Sequence, residues 1–414
     1  MHDIHVFFDK LAETYGPCYT IWTPAPSIVI TDYEHLKEAF VTQGDAFTYR
    51  SQLPPETLTH PYVGTGVGQS NGDHWKIQRR VALKILRDFG MGKNLMEQQV
   101  VRSMQEMFDQ LKTMENKDGI DLFWPIQLCV GNVINETLFG FHYKYEDCDK
   151  FKKFVKIVND HLKKFIGRPQ MMIAAFPWLR HFPIIGELGY HSIQRNIVHY
   201  IKFIKEEVAS QVKKYNPESE PENFVHAYMK QIDQAELPHE KPLCLDFWLA
   251  GMETTSTSLR GLLAYMMKYP EVQDKVRKEI MEAVGSSRLP SLSDKSKMMY
   301  TQAVIHEVQR HSNMVTALGS HKMFHNSLEF NPDRYFNEDG KTFNKAVLEK
   351  TIPFSIGKRN CVGEGLARME LFVIFSALIQ KYEFVPTSTI DLTPIPGMSI
   401  VVPPYTCRLV PQIA

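Results

Sequence analysis

Phe354-Ser-Ile-Gly357-Lys-Arg359-Asn-Cys361-Val-Gly363-Glu-Gly365-Leu-Ala367 holds one cysteine in a glycine-punctuated loop that runs straight into a helical pattern. A sulfur placed there can serve as a thiolate, because the start of a helix offers a negative charge unpaired amide hydrogens and the positive end of a dipole. Gly357 and Gly363 let the backbone turn tightly and lie close to a flat ring. Arg359, two residues before the sulfur, has the fork geometry of a carboxylate clamp. A thiolate, a close flat surface and a carboxylate clamp together describe an axial ligand to a haem iron, with a propionate on the arginine. A buried free cysteine is the bland alternative. It fits the other five, Cys18, Cys129, Cys148, Cys244 and Cys407, but leaves the surrounding pattern unexplained.

A second constellation, Ala250-Gly-Met-Glu253-Thr254-Thr255, interrupts an apolar span. Threonine hydroxyls inside a helix bond back to the preceding turn and bend it, and a neighbouring glycine lets that turn open. An opened turn makes a groove for dioxygen, and an acid beside an alcohol can relay protons to it. A Gly/Thr cluster that only lets two helices pack closely reads equally well from these residues. Glu307-Val-Gln-Arg310 puts acid and base on one helix face, a pairing that is commonplace and worth little on a surface. Three other patterns carry no chemistry. Gly64-Thr-Gly66-Val-Gly68 never completes a dinucleotide fingerprint, His306-Glu307 with His311 is one residue off a zinc-protease motif, and Asn135-Glu-Thr137 is a glycosylation sequon inside a helical stretch.

The chain that must position these groups has 414 residues, 43% hydrophobic and 23% charged, with 47 basic against 47 acidic side chains. That length buries a large core and suggests two lobes or two domains. The even balance removes any bulk argument for a nucleic-acid partner. Six cysteines without paired spacing argue for a reducing compartment. The opening Met1-His-Asp-Ile has no basic-then-apolar leader, so no signal peptide or anchor is expected from it, and Thr14–Thr31 is too broken by prolines for a membrane helix.

Apolar residues at three- and four-residue steps predict helices over Ile4–Tyr15, Tyr33–Val41, Asp73–Leu86, Met96–Met114, Asp149–Phe165, Ser192–Tyr215, Asp246–Lys268, Pro270–Val284, Lys297–His311 and Gly363–Lys381. Strands are few: a hairpin of Cys18–Trp22 and Ser27–Thr31 around Pro-Ala-Pro, then Glu383–Val385 and Ser399–Pro403. Asn216–Pro221 reads as a surface loop between helices.

With phenylalanine, glycine, arginine, cysteine and glycine at this spacing, the loop resembles the haem-binding loop of the cytochrome P450 family, and the resemblance runs from the first residues to the last strands. It is closest to the animal microsomal branch. The resemblance implies a mainly α cytochrome P450 fold, a helical bundle with a small β-rich lobe, in one domain over 1–414. Residues 1–47 would form most of the β-rich lobe, 73–381 the helical haem-binding core and 382–414 the C-terminal strands. It implies haem b (iron protoporphyrin IX) ligated by Cys361 and held by Trp75, Arg79, Phe354, Arg359 and Gly363. Glu253 and Thr254 would deliver protons. Glu307 and Arg310 would join Arg334 of Asn331-Pro-Asp-Arg334 in a buried structural triad.

By the same resemblance, one atom of O2 would enter a small apolar substrate, a fatty acid, steroid or xenobiotic, with electrons from NADPH through a separate NADPH-cytochrome reductase. Lys76, Arg80, Lys84 and Lys358 would offer that partner a basic rim, or form an ordinary solvated face. Substrate walls would come from Tyr62–Gly68, Met171–Phe176, Phe247–Glu253 and Pro396–Ser399. Pro183–Leu188 matches a loop that touches the bilayer in relatives, a simple helix connection being the other reading. The location implied is the cytoplasmic face of the endoplasmic reticulum membrane, with the cytoplasm as alternative because the anchor and hinge of the relatives are missing. One departure stands out. Between His311 and Glu329, with Thr316–Met323 bridging, too little chain remains for the several strands relatives place there. An incomplete sheet, and with it a truncated isoform of impaired or no activity, is the alternative expectation.

Overall fold

The computed structural model describes residues 4–22, 26–52, 65–89, 94–164, 167–233, 243–312, 324, 326–393, 395 and 401–412. Three helices make the centre: α5 (Phe123–Phe139), α11 (Leu243–Lys268) and α15 (Glu364–Lys381). Their side chains are buried on nearly every face, as with Val130, Val133, Leu259, Leu263, Phe372 and Phe375. Each such side chain contributes roughly 1.5–3 kcal/mol of burial. Gly251 of α11 packs so closely on α5 that an added Cβ would sit 2.6 Å from Ile134 Cδ1. That contact accounts for the glycine by close packing.

Around this centre lie the other helices, α1 (Ile4–Tyr15), α2 (Tyr33–Lys37), α3 (Gly72–Asp88), α4 (Asn94–Lys112), α6 (Asp149–Lys164), α7 (Arg168–Ala175), α8 (Pro183–Gly186), α9 (Ser192–Lys214), α10 (Phe224–Asp233), α12 (Pro270–Ala283), α13 (Met299–Ser312) and α14 (Lys345–Lys350), the longer of which, such as α3, α4, α9 and α12, turn one apolar face inward. Local chemistry sets their ends. Gly140 closes α5 in the left-handed conformation at φ +70°. Tyr269 leaves helical geometry before Pro270, which opens α12 at a position where a missing amide hydrogen costs nothing.

The strands form two antiparallel pairs among the described residues, β1 (Cys18–Trp22) with β2 (Pro26–Ile30) and β3 (Tyr382–Pro386) with β4 (Cys407–Pro411). In the first, Cys18 faces Ile30 and Trp22 faces Pro26, one residue earlier than the expected Ser27–Thr31. Among the described residues of 1–47, strand is confined to this hairpin, and helical turns flank it on both sides.

The last strand is also displaced. Val401 makes an isolated bridge with Ile395, and the strand pairing with β3 is Cys407–Pro411. Residues 399 and 400 of the expected Ser399–Pro403 lie outside the described residues, as do 62–64 and 396–399 of the expected substrate walls and the bridging segment 316–323. No helix among the described residues is long and apolar enough to cross a membrane.

Candidate functional site

Cys361 sits at the end of a turn locked from both sides. Its amide donates to Phe354 O at 2.9 Å and the Asn360 amide to Gly357 O at 3.2 Å. Ser355 and Gly357 take φ of +61° and +77°, and a methyl group on Gly357 would overlap the Phe40 carbonyl. Gly363, the N-cap of α15, behaves differently from expectation. Its φ of −91° suits any residue, and an added Cβ would meet no protein atom within 4 Å. Neither turn geometry nor protein packing demands glycine there, and the space beside it is open.

The Cys361 side chain is accessible at the surface of this turn yet crowded by protein on its other sides. Desolvation pushes the thiol up, while the Gly363 amide, Arg79 and Arg368 act in the opposite direction. A coordinated cation would shift that balance to the thiolate.

Next to the sulfur the structure gathers positive charge. Arg359 Nε donates to Thr48 O at 2.6 Å, and its Nη2 to Ser70 O at 2.5 Å and Asn71 Oδ1 at 3.2 Å. Its guanidinium lies 4.0 Å from the Trp75 ring centroid. Arg79, also beside Trp75 at 6.0 Å, donates to Asn360 Oδ1 at 2.5 Å. Burial, then Arg50 and Arg79, lower the Arg359 pKa to about 10. Among the described residues none of these three arginines forms an ion pair with an acidic side chain. The Trp75 indole Nε1 is buried with no hydrogen-bond partner.

Three guanidiniums and an indole N–H without an anion, beside a thiol and a glycine that touches nothing, fit the propionates and ring edge of a haem. Arg50 is a member the sequence did not suggest. It belongs to no motif, and only the fold brings it to Arg359. Phe354 is half-buried and carries the Arg368 guanidinium on its ring at 4.8 Å.

Across from this loop, Thr254 Oγ1 donates to Ala250 O at 2.6 Å. The expected opened turn is absent, because α11 runs as unbroken helix from Leu243 to Lys268 and the threonine bond adds to the helical pattern without displacing it. Glu253 points into the core. It accepts from Gln127 Nε2 and from Thr257 Oγ1, each at 3.2 Å. A turn from residue 66 to residue 71 joins the two sides. Val67 and Gly68 amides donate to Asp246 Oδ2 of α11 at 2.7 and 3.1 Å, while Ser70 and Asn71 accept from Arg359. The glycine run of the sequence therefore carries a carboxylate-bound turn.

Glu307, Arg310 and Arg334 do meet, with Glu307 wholly buried. Arg310 donates to it at 2.7 and 2.9 Å, Arg334 at 3.0 Å and the Asn331 amide at 2.8 Å. Arg310 also donates to the Ser327 and Glu329 carbonyls and Arg334 to those of Asn326 and Glu329, so the triad staples the segment that precedes the cysteine turn. Of the basic rim, Lys76 pairs with Asp73 and Lys358 with Asp45, Lys84 donates to Gln231, and Arg80 is exposed. His306 and His311 face different neighbours, and no metal-binding group of His, Cys, Asp or Glu occurs among the described residues.

Residues 1–323 and 313–410 match the family profile Cytochrome P450. The chain is 32% identical to cytochrome P450 2G1 of Oryctolagus cuniculus across 97% of its own length and 88% of that protein. It is 31% identical to cytochrome P450 2H2 of Gallus gallus over 99% and 90%, and 32% identical to cytochrome P450 2C23 of Rattus norvegicus over 100% and 90%.

Proposed function

Because the chain belongs to the cytochrome P450 family, and is thereby a haem-thiolate monooxygenase that takes haem b, O2, a substrate and a redox partner, we propose that it oxidises a small apolar compound such as a fatty acid, steroid or xenobiotic. Its electrons come from NADPH through a separate flavoprotein reductase, with Arg80 and its neighbours as the docking rim. The observation that carries this reading is the thiol of Cys361 beside Arg50, Arg79, Arg359 and the unpartnered Trp75 Nε1.

Bound haem supplies the iron at which dioxygen is activated. Cys361 Sγ would ligate that iron, with Gly363 and Phe354 bordering the ring and Trp75 and the three arginines holding the propionates. Thr254 Oγ1 and the Glu253 carboxyl would supply the protons. Each is parked in the structure, on Ala250 O and on Gln127 and Thr257, and must release one of those bonds to act. The test is the Soret band of reduced protein under carbon monoxide. A strongly red-shifted band is expected. A band at the histidine-ligated position, or no haem absorbance, overturns the reading.

A second reading, an isoform impaired by missing chain, is supported by one observation. The family match breaks into two segments that meet at 313–323. The rabbit alignment spans 451 positions while using 97% of 414 residues, so roughly fifty positions have no counterpart in this chain. Haem retained through gel filtration at one per chain argues against this reading, and haem lost on dilution supports it.

Membrane contact belongs to the same proposal. Met172, Phe176, Trp178, Phe182, Ile184 and Leu188 are all exposed along α7, α8 and the turns between and just after them, with Ile184 at 75%. Such a contiguous apolar surface suits a lipid boundary, here the cytoplasmic face of the endoplasmic reticulum.

A further inference from the structure

Gln127 of α5 is 0% exposed, and its neighbours along the chain, Ile126 and Leu128, are apolar core. One half of its amide reaches α11, where Nε2 donates to Glu253 Oε2 at 3.2 Å. The buried Thr257 hydroxyl donates to the other carboxyl oxygen, Oε1, at 3.2 Å. The second half of the amide, Gln127 Oε1, is buried with no hydrogen-bond partner among the described residues. A buried polar atom left so is destabilising, and an apolar residue of the same shape would avoid that cost.

The orphaned oxygen acquires a use when Glu253 changes protonation state. An ionised carboxyl only accepts hydrogen bonds, whereas a protonated one has an O–H that needs an acceptor. A carboxamide carries a donor and an acceptor on one carbon, and a half-turn of its last bond exchanges them. With Nε2 toward Glu253, as here, Gln127 serves the carboxylate. With Oε1 turned toward it, the same side chain takes the O–H of the acid. Thr257 is matched in the same way, since a hydroxyl both donates and accepts. A leucine at 127 would serve neither form and a lysine only the ionised one. The tight contact of Gly251 with Ile134 keeps α5 and α11 close, so the amide stays within reach of the acid in either orientation.

We propose that Gln127 is a positioning residue for proton supply, holding Glu253 in both its ionised and its protonated form by a half-turn of its amide, so that neither form is left unpartnered in the core. The proton comes from solvent water and leaves toward reduced dioxygen, and no heavy-atom bond of the protein changes. This deepens the haem-thiolate reading and rests on it.

The test follows the Glu253 carboxyl by infrared difference spectroscopy, subtracting from each background the same background carrying E253Q, in mildly acidic and mildly alkaline buffer. Wild type is expected to show a protonated and an ionised band. Q127L should shift both, and raise the ratio of protonated to ionised carboxyl about tenfold at neutral pH, because the ionised form loses the stronger bond. T257V shifts them as well, and T257S, which keeps the hydroxyl, restores them. The bands are read with and without haem, so a Q127L chain that does not take up haem still decides. A shift of the ionised band alone reduces Gln127 to a carboxylate donor and overturns the proposal. A single form of Glu253 in both buffers, or Q127L bands that coincide with wild type, also overturns it. In haem-loaded protein with NADPH, NADPH-cytochrome reductase and no added substrate, Q127L is expected to raise severalfold the fraction of consumed dioxygen that leaves as peroxide. An unchanged fraction overturns the role in proton supply. Bands that behave as expected in a chain without the thiolate Soret position support the amide half-turn and sink the monooxygenase reading instead.

Discussion

At Gly357 a methyl group has nowhere to go, since φ is +77° and the Phe40 carbonyl fills the space. Gly357→Ala therefore adds backbone strain of about 1–3 kcal/mol and displaces the cysteine turn. The expected outcome is a chain that folds but binds haem substoichiometrically, read from haem absorbance per chain. Glu307→Gln removes the carboxylate that two buried arginines share, and breaking such a network costs on the order of 3–5 kcal/mol. Denaturant unfolding should show that loss, and a change under 1 kcal/mol would contradict the triad's structural role. These residues were legible because each sits in a short motif with a fixed spacing. Arg50 and Gln127 were not. One lies in an unremarkable polar stretch, and the other reads as an ordinary polar residue within an apolar helix until three dimensions bury it.

Among the elements, the 3-10 turn Leu292–Lys297 carries a pH signature. Ser291 and Asp294 form its capping box, and the Asp294 carboxylate accepts from Ser291 and, in a two-pronged contact, from Arg288 at 2.6 and 2.7 Å. Arg288 first, then the Ser291 bonds, hold its carboxyl down to about 2. A depressed pKa means stability that is present above the unfolded value near roughly 3.9 and lost as pH falls toward 2. Wild type should exceed Asp294→Asn in stability by about 2 kcal/mol at neutral pH, and the gap should close between pH ~4 and ~2 in acid-unfolding curves. Helices with one wet face, such as α9 and α12, could be read from periodicity. Helix α5 could not, because with core on every side it has no apolar stripe to contrast with a polar one. The opened turn expected in α11 is not seen, since the helix runs unbroken. A threonine bonding back to the preceding turn need not break the turn it decorates.

For the whole molecule, lipid attachment and cofactor binding are separable. Ile184→Glu with Phe182→Glu should abolish sedimentation with anionic phospholipid vesicles while leaving the reduced carbon monoxide spectrum unchanged, because both side chains are exposed and far in sequence from the cysteine turn. Coupled loss of both would place this surface inside the haem-binding unit. The overall architecture was foreseeable from the loop resemblance, whereas strand pairing was not, since short strands such as Cys407–Pro411 show no clear alternation. One contact set has a kinetic corollary. Lys358 bonds Asp45, Arg359 bonds Thr48 O, and Gly357 rests on Phe40, so partners over three hundred positions apart shape one wall. During synthesis the N-terminal strip must wait on the ribosome for a mate that is translated almost last. Haem capture is thus a post-translational event, and nascent fragments halted before residue 357 should emerge colourless.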